Sequence, residues 1–207
     1  MAVLPQSRIA ELLQPFLEAP IPRGTSKLAE TPQPELLGKL SGFLDLLVRW
    51  NARTNLTSVR DPEEMVTRHL GESLFTGRIL GQRLADGDRL LDFGSGGGFP
   101  GVPVKLLLPG LQVTLAESQS KKAAFLQEVR REFGIDEVWS KRVEDMPADR
   151  VFESVTLRAV DNMEAALAAA APRRSPSGGL LCVLTAEPIA EHFLIPRSTN
   201  RYVDLRG

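Results

Sequence analysis

A mixed α/β architecture, with a doubly wound, mostly parallel sheet behind an N-terminal helical extension, follows from two features of this 207-residue sequence. Before Arg89 the apolar residues recur at helical spacing, whereas from Arg89 onward short strand-like runs alternate with helix-length segments. A third feature completes the prediction. The last two strand candidates are joined by a link too short for a parallel crossover, so they form an antiparallel hairpin. The expected division is 1–88 for the helical extension and 89–207 for the α/β domain.

The stretch from Pro20 to Pro34 holds four prolines with Gly24, Thr25 and Ser26, and it breaks regular structure after a short first helix. Leu36, Leu37, Leu40, Phe43, Leu44, Leu47 and Val48 then form the apolar stripe of a second helix. Asp61-Pro62-Glu63-Glu64 sets an N-cap acid, a first-turn proline and a glutamate three residues beyond the cap. The helix it starts turns Met65, Val66, Leu70 and Leu74 inward. Strands are expected at 89–93, 111–116, 137–141, 152–157 and 179–184. The terminal hairpin pairs 193–195 with 201–205 and places a reversed strand at the sheet edge.

Hydrophobic residues make up 43% of the chain and charged residues 25%, the mix of a soluble domain with a sizeable core, which excludes disordered and fibrous classes. Net charge is −1, so no global field draws the chain toward polyanions. Any nucleic-acid contact falls to local basic positions: Lys121-Lys122, Arg130-Arg131, Lys141-Arg142, Arg173-Arg174, Arg197, Arg201 and Arg206. With one tyrosine and no interleaved aromatics, base stacking on an aromatic sheet is not expected. Cys182 is the only cysteine, which excludes an internal disulfide and a cysteine-rich zinc site; no metal is expected, and a reducing cytoplasm fits. No apolar run approaches the ~18 residues of a membrane span, and no secretion signal is read at the N-terminus.

The strongest chemical signal is Leu91-Asp-Phe-Gly94-Ser-Gly96-Gly-Gly98-Phe-Pro-Gly101, between the first strand and a helical segment. Glycines there let the backbone turn tightly and approach a ligand at the carboxyl end of a strand. Glu117, at the end of the second strand, is placed to accept hydrogen bonds from ribose hydroxyls. Two cofactors compete for such a loop, nicotinamide dinucleotide and S-adenosylmethionine. Pro100 removes an N–H where a pyrophosphate-binding helix would need one. The register Asp92-x-Gly94-x-Gly96-x-Gly98 instead resembles motif I of class I S-adenosylmethionine methyltransferases.

More of the chain joins that resemblance. Trp50-Asn51, Asn55-Leu-Thr57, Arg60-Asp-Pro62, Glu64-Met65, Arg68-His-Leu70, Ser73-Leu74, the glycine loop through Pro103, Glu117-Ser118, Lys121-Lys122, Arg142-Val-Glu144 and Arg158-Ala159 occur in one order. Together they resemble the glucose-inhibited division protein B family, bacterial methyltransferases acting on guanine N7 of small-subunit ribosomal RNA. The resemblance implies a Rossmann-like class I fold with S-adenosylmethionine at Gly94, Phe99, Val143, Glu144 and Arg158. Gly96, Gly98 and Glu117 join them from the loop reading. It also implies 16S rRNA, within the small ribosomal subunit or its precursor, as partner, and cytoplasmic localisation; a monomer is expected.

Two departures stand out. Thr185-Ala186 replaces the family's usual Lys-Gly after the fifth strand, and the segment before the hairpin is shortened to about Glu187 through His192. A methyltransferase with another substrate, or an inactive cofactor-binding relative, is therefore a second reading, and an NAD-dependent oxidoreductase a third.

After the fourth strand the sequence reads Leu157-Arg158-Ala159-Val160, with neither the Asp/Asn-Pro-Pro-aromatic motif of exocyclic-amine methylation nor a cysteine nucleophile for carbon. Guanine N7 needs neither, because its in-plane lone pair is free at neutral pH. No catalytic acid or base is expected, only alignment in a dry site. His69 is assigned to packing or substrate positioning.

Overall fold

The structure, a computed structural model, describes residues 2–21, 33–160 and 162–207. Strands β1 (Arg89–Phe93), β2 (Gln112–Ala116), β3 (Glu137–Trp139), β4 (Ser154–Arg158), β5 (Leu180–Thr185), β6 (Glu191–Leu194) and β7 (Tyr202–Arg206) form one sheet in the order β3-β2-β1-β4-β5-β7-β6. The first five pair in parallel, and β7 runs antiparallel to both β5 and β6.

The hairpin is present, but its reversed strand is not at the edge. β7 lies between β5 and β6, and β6 takes the edge. Burial explains the choice: Val203, Asp204 and Leu205 are buried in succession, as an interior strand requires, whereas in β6 only Phe193 is. Residues 186–190 cross from β5 to β6 and are anchored on β7, where the Ile189 and Ala190 N–H groups donate to the fully buried Asp204 carboxylate at 3.2 and 3.0 Å. The fourth expected strand starts later, at Ser154, because Phe152 makes only an isolated bridge to Arg174. The third stops at Trp139, short of Lys141.

The helices are α1 (Gln6–Glu18), α2 (Pro34–Thr54), α3 (Pro62–Met65), α4 (Glu72–Leu80), α5 (Gly101–Leu107), α6 (Ser120–Phe133) and α7 (Met163–Ala170). Asp61 caps α3 as its sequence signature requires, accepting from the Glu63 N–H at 3.3 Å. A π-helical turn, Val66–Gly71, joins α3 to α4. Most of the proline-rich linker expected over 20–34 lies outside the described residues. Among the described residues no helix is long and apolar enough to cross a membrane.

Alternation along the strands divides the core between the two faces of the sheet. Leu90, Val113 and Leu115 join α1, α2, α4, α5 and α6 in the larger cluster, while Leu91, Val155 and Leu157 join α7 and Val143 in the smaller one. The larger cluster is continuous from Ile9 in α1 to Val203 in β7. α1 packs directly on the π turn: a Cβ at Gly71 would lie 2.5 Å from the Phe16 ring, so only glycine allows that approach.

Candidate active site

Strands β1 and β2 end side by side, with Phe93 opposite Ala116, so the glycine loop and Glu117 open together at the carboxyl edge of the sheet. Asp92 organises this end of β1. It is fully buried, accepts from the Thr156 hydroxyl at 2.8 Å and from the Gly101 N–H at 3.1 Å, and so ties β1 to β4 and to the first turn of α5. Burial pushes its pKa up to about 6, against the pull of those hydrogen bonds.

Every donor in that first turn is already used or missing. The Gly101 N–H goes to Asp92, the Val102 N–H goes to the Gly98 carbonyl, and Pro100 and Pro103 have none. A pyrophosphate therefore finds no cradle here, which counts against the dinucleotide reading on the chain's own residues.

Gly94, Gly96 and Gly98 all adopt left-handed backbone, at φ of 68°, 54° and 86°. Gly98 serves packing as well, since a Cβ there would meet Val102 at 2.7 Å. Gly94 is exposed at the mouth of a cavity of about 220 Å³, lined by Phe93, Gly94, Ala116, Glu117, Ser118, Lys141, Arg142, Val143 and Glu144. Four of the residues predicted from sequence, Gly94, Glu117, Val143 and Glu144, thus meet in one place. Glu117 is 7% exposed and braces the loop: its Oε2 accepts from the Gly96 N–H at 3.1 Å and its Oε1 from the Gln119 N–H at 2.7 Å. Val143 and Glu144 sit on a 3-10 turn after β3, Val143 buried and Glu144 exposed.

Phe99 and Arg158 do not line this cavity; they form a second group with the π turn. Phe99 packs on Phe43, with ring centroids 5.5 Å apart, and the His69 ring stacks on it at 4.7 Å. The Arg158 guanidinium lies 5.8 Å from the Phe99 ring centre. Its Nη2 donates to the Arg68 carbonyl at 2.7 Å, to His69 Nδ1 at 3.1 Å and to Glu72 Oε2 at 3.3 Å. A guanidinium only donates, so His69 Nδ1 is the acceptor and its proton sits on Nε2, which donates to the Thr57 hydroxyl at 2.7 Å. Burial and the neighbouring Arg158 push the His69 pKa down to about 3, so the ring is neutral and both its nitrogens are engaged.

Arg158 Nη1, by contrast, is buried with no hydrogen-bond partner among the described residues. An unpaired buried donor is costly, and an acceptor oxygen on a bound molecule would satisfy it. With Gly94 exposed at the mouth of the cavity, this is the chain's own fit to a polar cofactor. Sequence reasoning missed Glu72 and Thr57 as partners here. The only signal for Glu72 was a carboxylate inside an otherwise apolar helix face.

The basic pairs separate. Arg173 is buried and donates to the Met146 and Pro147 carbonyls at 2.9 and 2.6 Å, and Arg206 pairs with Asp204 at 2.8 Å, so these two are spent inside the fold. Arg197 and Arg201 join Arg68, Ser198, Thr199 and Asn200 around an open depression of about 450 Å³.

A sheet of this order, with a glycine loop after β1 and an acid after β2, defines a class I methyltransferase fold. The solved structure of MtNAS in complex with MTA and tNA shares it, with a TM-score of 0.54 at 13% identity over 83% of this chain and 73% of that one. The family model for rRNA small subunit methyltransferase G, GidB, matches residues 36–192. Proteins named ribosomal RNA small subunit methyltransferase G are similar in sequence. One from Xylella fastidiosa (strain M23) is 41% identical over 76% of this chain and 73% of its own length, and one from Xanthomonas euvesicatoria pv. vesicatoria (strain 85-10) is 38% identical over 89% and 84%. The chain belongs to the rRNA small subunit methyltransferase G family.

Proposed function

We propose that the protein transfers a methyl group from S-adenosylmethionine to N7 of a guanine in 16S rRNA of the small ribosomal subunit, acting as a monomer in the cytoplasm. The observation that carries this reading is the placement of Gly94, Glu117, Val143 and Glu144 around one cavity at the carboxyl edge of the sheet, in a chain of this family. Gly94, Gly96 and Gly98 give the cofactor close backbone approach, Glu117 accepts from its ribose, and Val143 and Glu144 face the adenine. Phe99 and Arg158 serve the methionine end and the incoming base. The helical part, 1–88, acts as a buttress for the domain over 89–207.

Bound S-adenosylmethionine supplies an electrophilic methyl on a sulfonium. The chain's part is placement. His69 is neutral and fully engaged, Phe99 closes the apolar wall, and no side chain in the site is required to take a proton, because guanine N7 offers a free lone pair. Thr185 stands where the family carries lysine, and its Oγ1 accepts from the Glu187 N–H at 3.0 Å. RNA phosphates therefore fall to exposed cations, among them Arg68, Arg197, Lys121, Arg130, Arg131, Lys141 and Arg142.

Calorimetry tests the cofactor half of the reading. S-adenosylhomocysteine should bind and NAD should not. Binding of NAD without S-adenosylhomocysteine would overturn it in favour of an oxidoreductase.

A further inference from the structure

Glu72 opens α4 directly after the π turn and is 3% exposed. A carboxylate so buried requires strong compensation. Two guanidinium groups on distant parts of the chain offset part of the cost, Arg158 at the end of β4, at 3.3 Å from Oε2, and Arg201, just before β7, in an ion pair at 2.5 Å from Oε1; burial still leaves the Glu72 pKa raised. One side chain thus links the π turn, the central sheet and the C-terminal hairpin.

The arrangement around Arg158 is lopsided. Its Nη2 faces three acceptors, the Arg68 carbonyl, His69 Nδ1 and Glu72 Oε2, while its buried Nη1 faces none among the described residues. Two of those acceptors come from the π segment and the third from the first residue of α4. Left to itself, a guanidinium would share them between its two ends. Here all three contacts fall on Nη2, which leaves Nη1 open to a further acceptor.

We propose that Glu72 is a positioning residue for methyl transfer. Its carboxylate, clamped between Arg158 and Arg201, fixes the Arg158 guanidinium so that Nη1 stays directed at an acceptor oxygen of the bound reactants. This rests on the function proposed above. The acceptor is either the carboxylate of the cofactor or a carbonyl of the base, and cofactor affinity distinguishes the two.

The test is single-turnover methyl transfer to small ribosomal subunits that lack the modification, with S-adenosylhomocysteine affinity and thermal melting measured on each variant. Glu72→Gln, which keeps the shape and removes the charge, should slow transfer at saturating substrate by about tenfold to a hundredfold. Glu72→Asp should recover part of that loss. In an Arg158→Ala background, Glu72→Gln should change the rate less than about twofold, because a residue that acts through Arg158 has nothing left to position. Weakened S-adenosylhomocysteine binding in Glu72→Gln would assign the acceptor to the cofactor, and unchanged binding with slow transfer would assign it to the base. Should Glu72→Gln fail to fold, Arg201→Ala removes the more exposed half of the clamp and should show the same dependence on Arg158. A wild-type rate in folded Glu72→Gln, or losses that multiply in the double variant, would overturn the proposal. A wild-type protein with no transferase activity would instead overturn the function on which it rests.

Discussion

The His69 ring lies against the Phe99 ring with 4.7 Å between centroids and 28° between planes, which joins the π turn to the end of the glycine loop through an aromatic stack. The Arg158 hydrogen bond to Nδ1 of the same ring demands a neutral imidazole. Burial, with Arg158, Arg68 and Arg201 close by, holds the ring deprotonated, and its Nδ1 must accept from a guanidinium.

Acid stability follows from the burial of that ring beside Arg158. The folded pKa of His69 is lowered to about 3 from an ordinary value near 6.5, so the unfolded chain takes up the proton first as pH falls. The contribution is complete above about pH 6.5 and declines by about 1 kcal/mol per pH unit below it. Asp92 works in the opposite sense, since its raised pKa makes its ionised form a burden that protonation relieves below about pH 6. Comparing the wild type with His69→Gln isolates the histidine. The melting-temperature gap between them should be widest at pH 7 and shrink by pH 4.5. A gap independent of pH would contradict the neutral, buried assignment.

Glu117 both braces the loop and faces the cavity, so its removal should act on binding. Glu117→Ala is expected to weaken S-adenosylhomocysteine binding by roughly 1 to 3 kcal/mol, through loss of a charge-assisted bond to ribose and of the contact to the Gly96 N–H. Calorimetry reads the change directly. An affinity within error of the wild type would return Glu117 to a purely local role.

Much of this site was legible in the sequence because its parts are local. A strand, a glycine run and a helix occur within residues 89–107, and Glu117 ends the next strand, so spacing alone places them at one sheet edge. The order of the last strands was not legible, because a short link shows that β6 and β7 pair without showing which of them meets β5. The clamp around Arg158 was hidden for a different reason. Arg158, Glu72, His69 and Arg201 come from three separated segments, and only the folded chain shows that one carboxylate serves two arginines. Arg173 misled in the same way: beside Arg174 it reads as a surface pair, yet it is consumed by the carbonyls of Met146 and Pro147.

Cys182 offers a control on mechanism. It is fully buried within β5, and burial pushes its thiol pKa far up, so it supplies no thiolate. Cys182→Ala should lose some stability, about 1 kcal/mol for the small void left behind, and retain its single-turnover rate. Loss of transfer in a folded Cys182→Ala protein would point to covalent catalysis, which N7 chemistry does not need.

The central claim is methyl transfer to guanine N7 of small-subunit rRNA without a protein base. The most direct measurement incubates the purified protein and S-adenosylmethionine with small ribosomal subunits from cells lacking the enzyme, digests the RNA to nucleosides, and follows the product from about pH 6 to pH 8.5. An uncoordinated ring nitrogen as nucleophile predicts 7-methylguanosine, with a single-turnover rate nearly flat across that range. A product methylated on carbon or on an exocyclic amine, or a rate that climbs with a single ionisation, would contradict it.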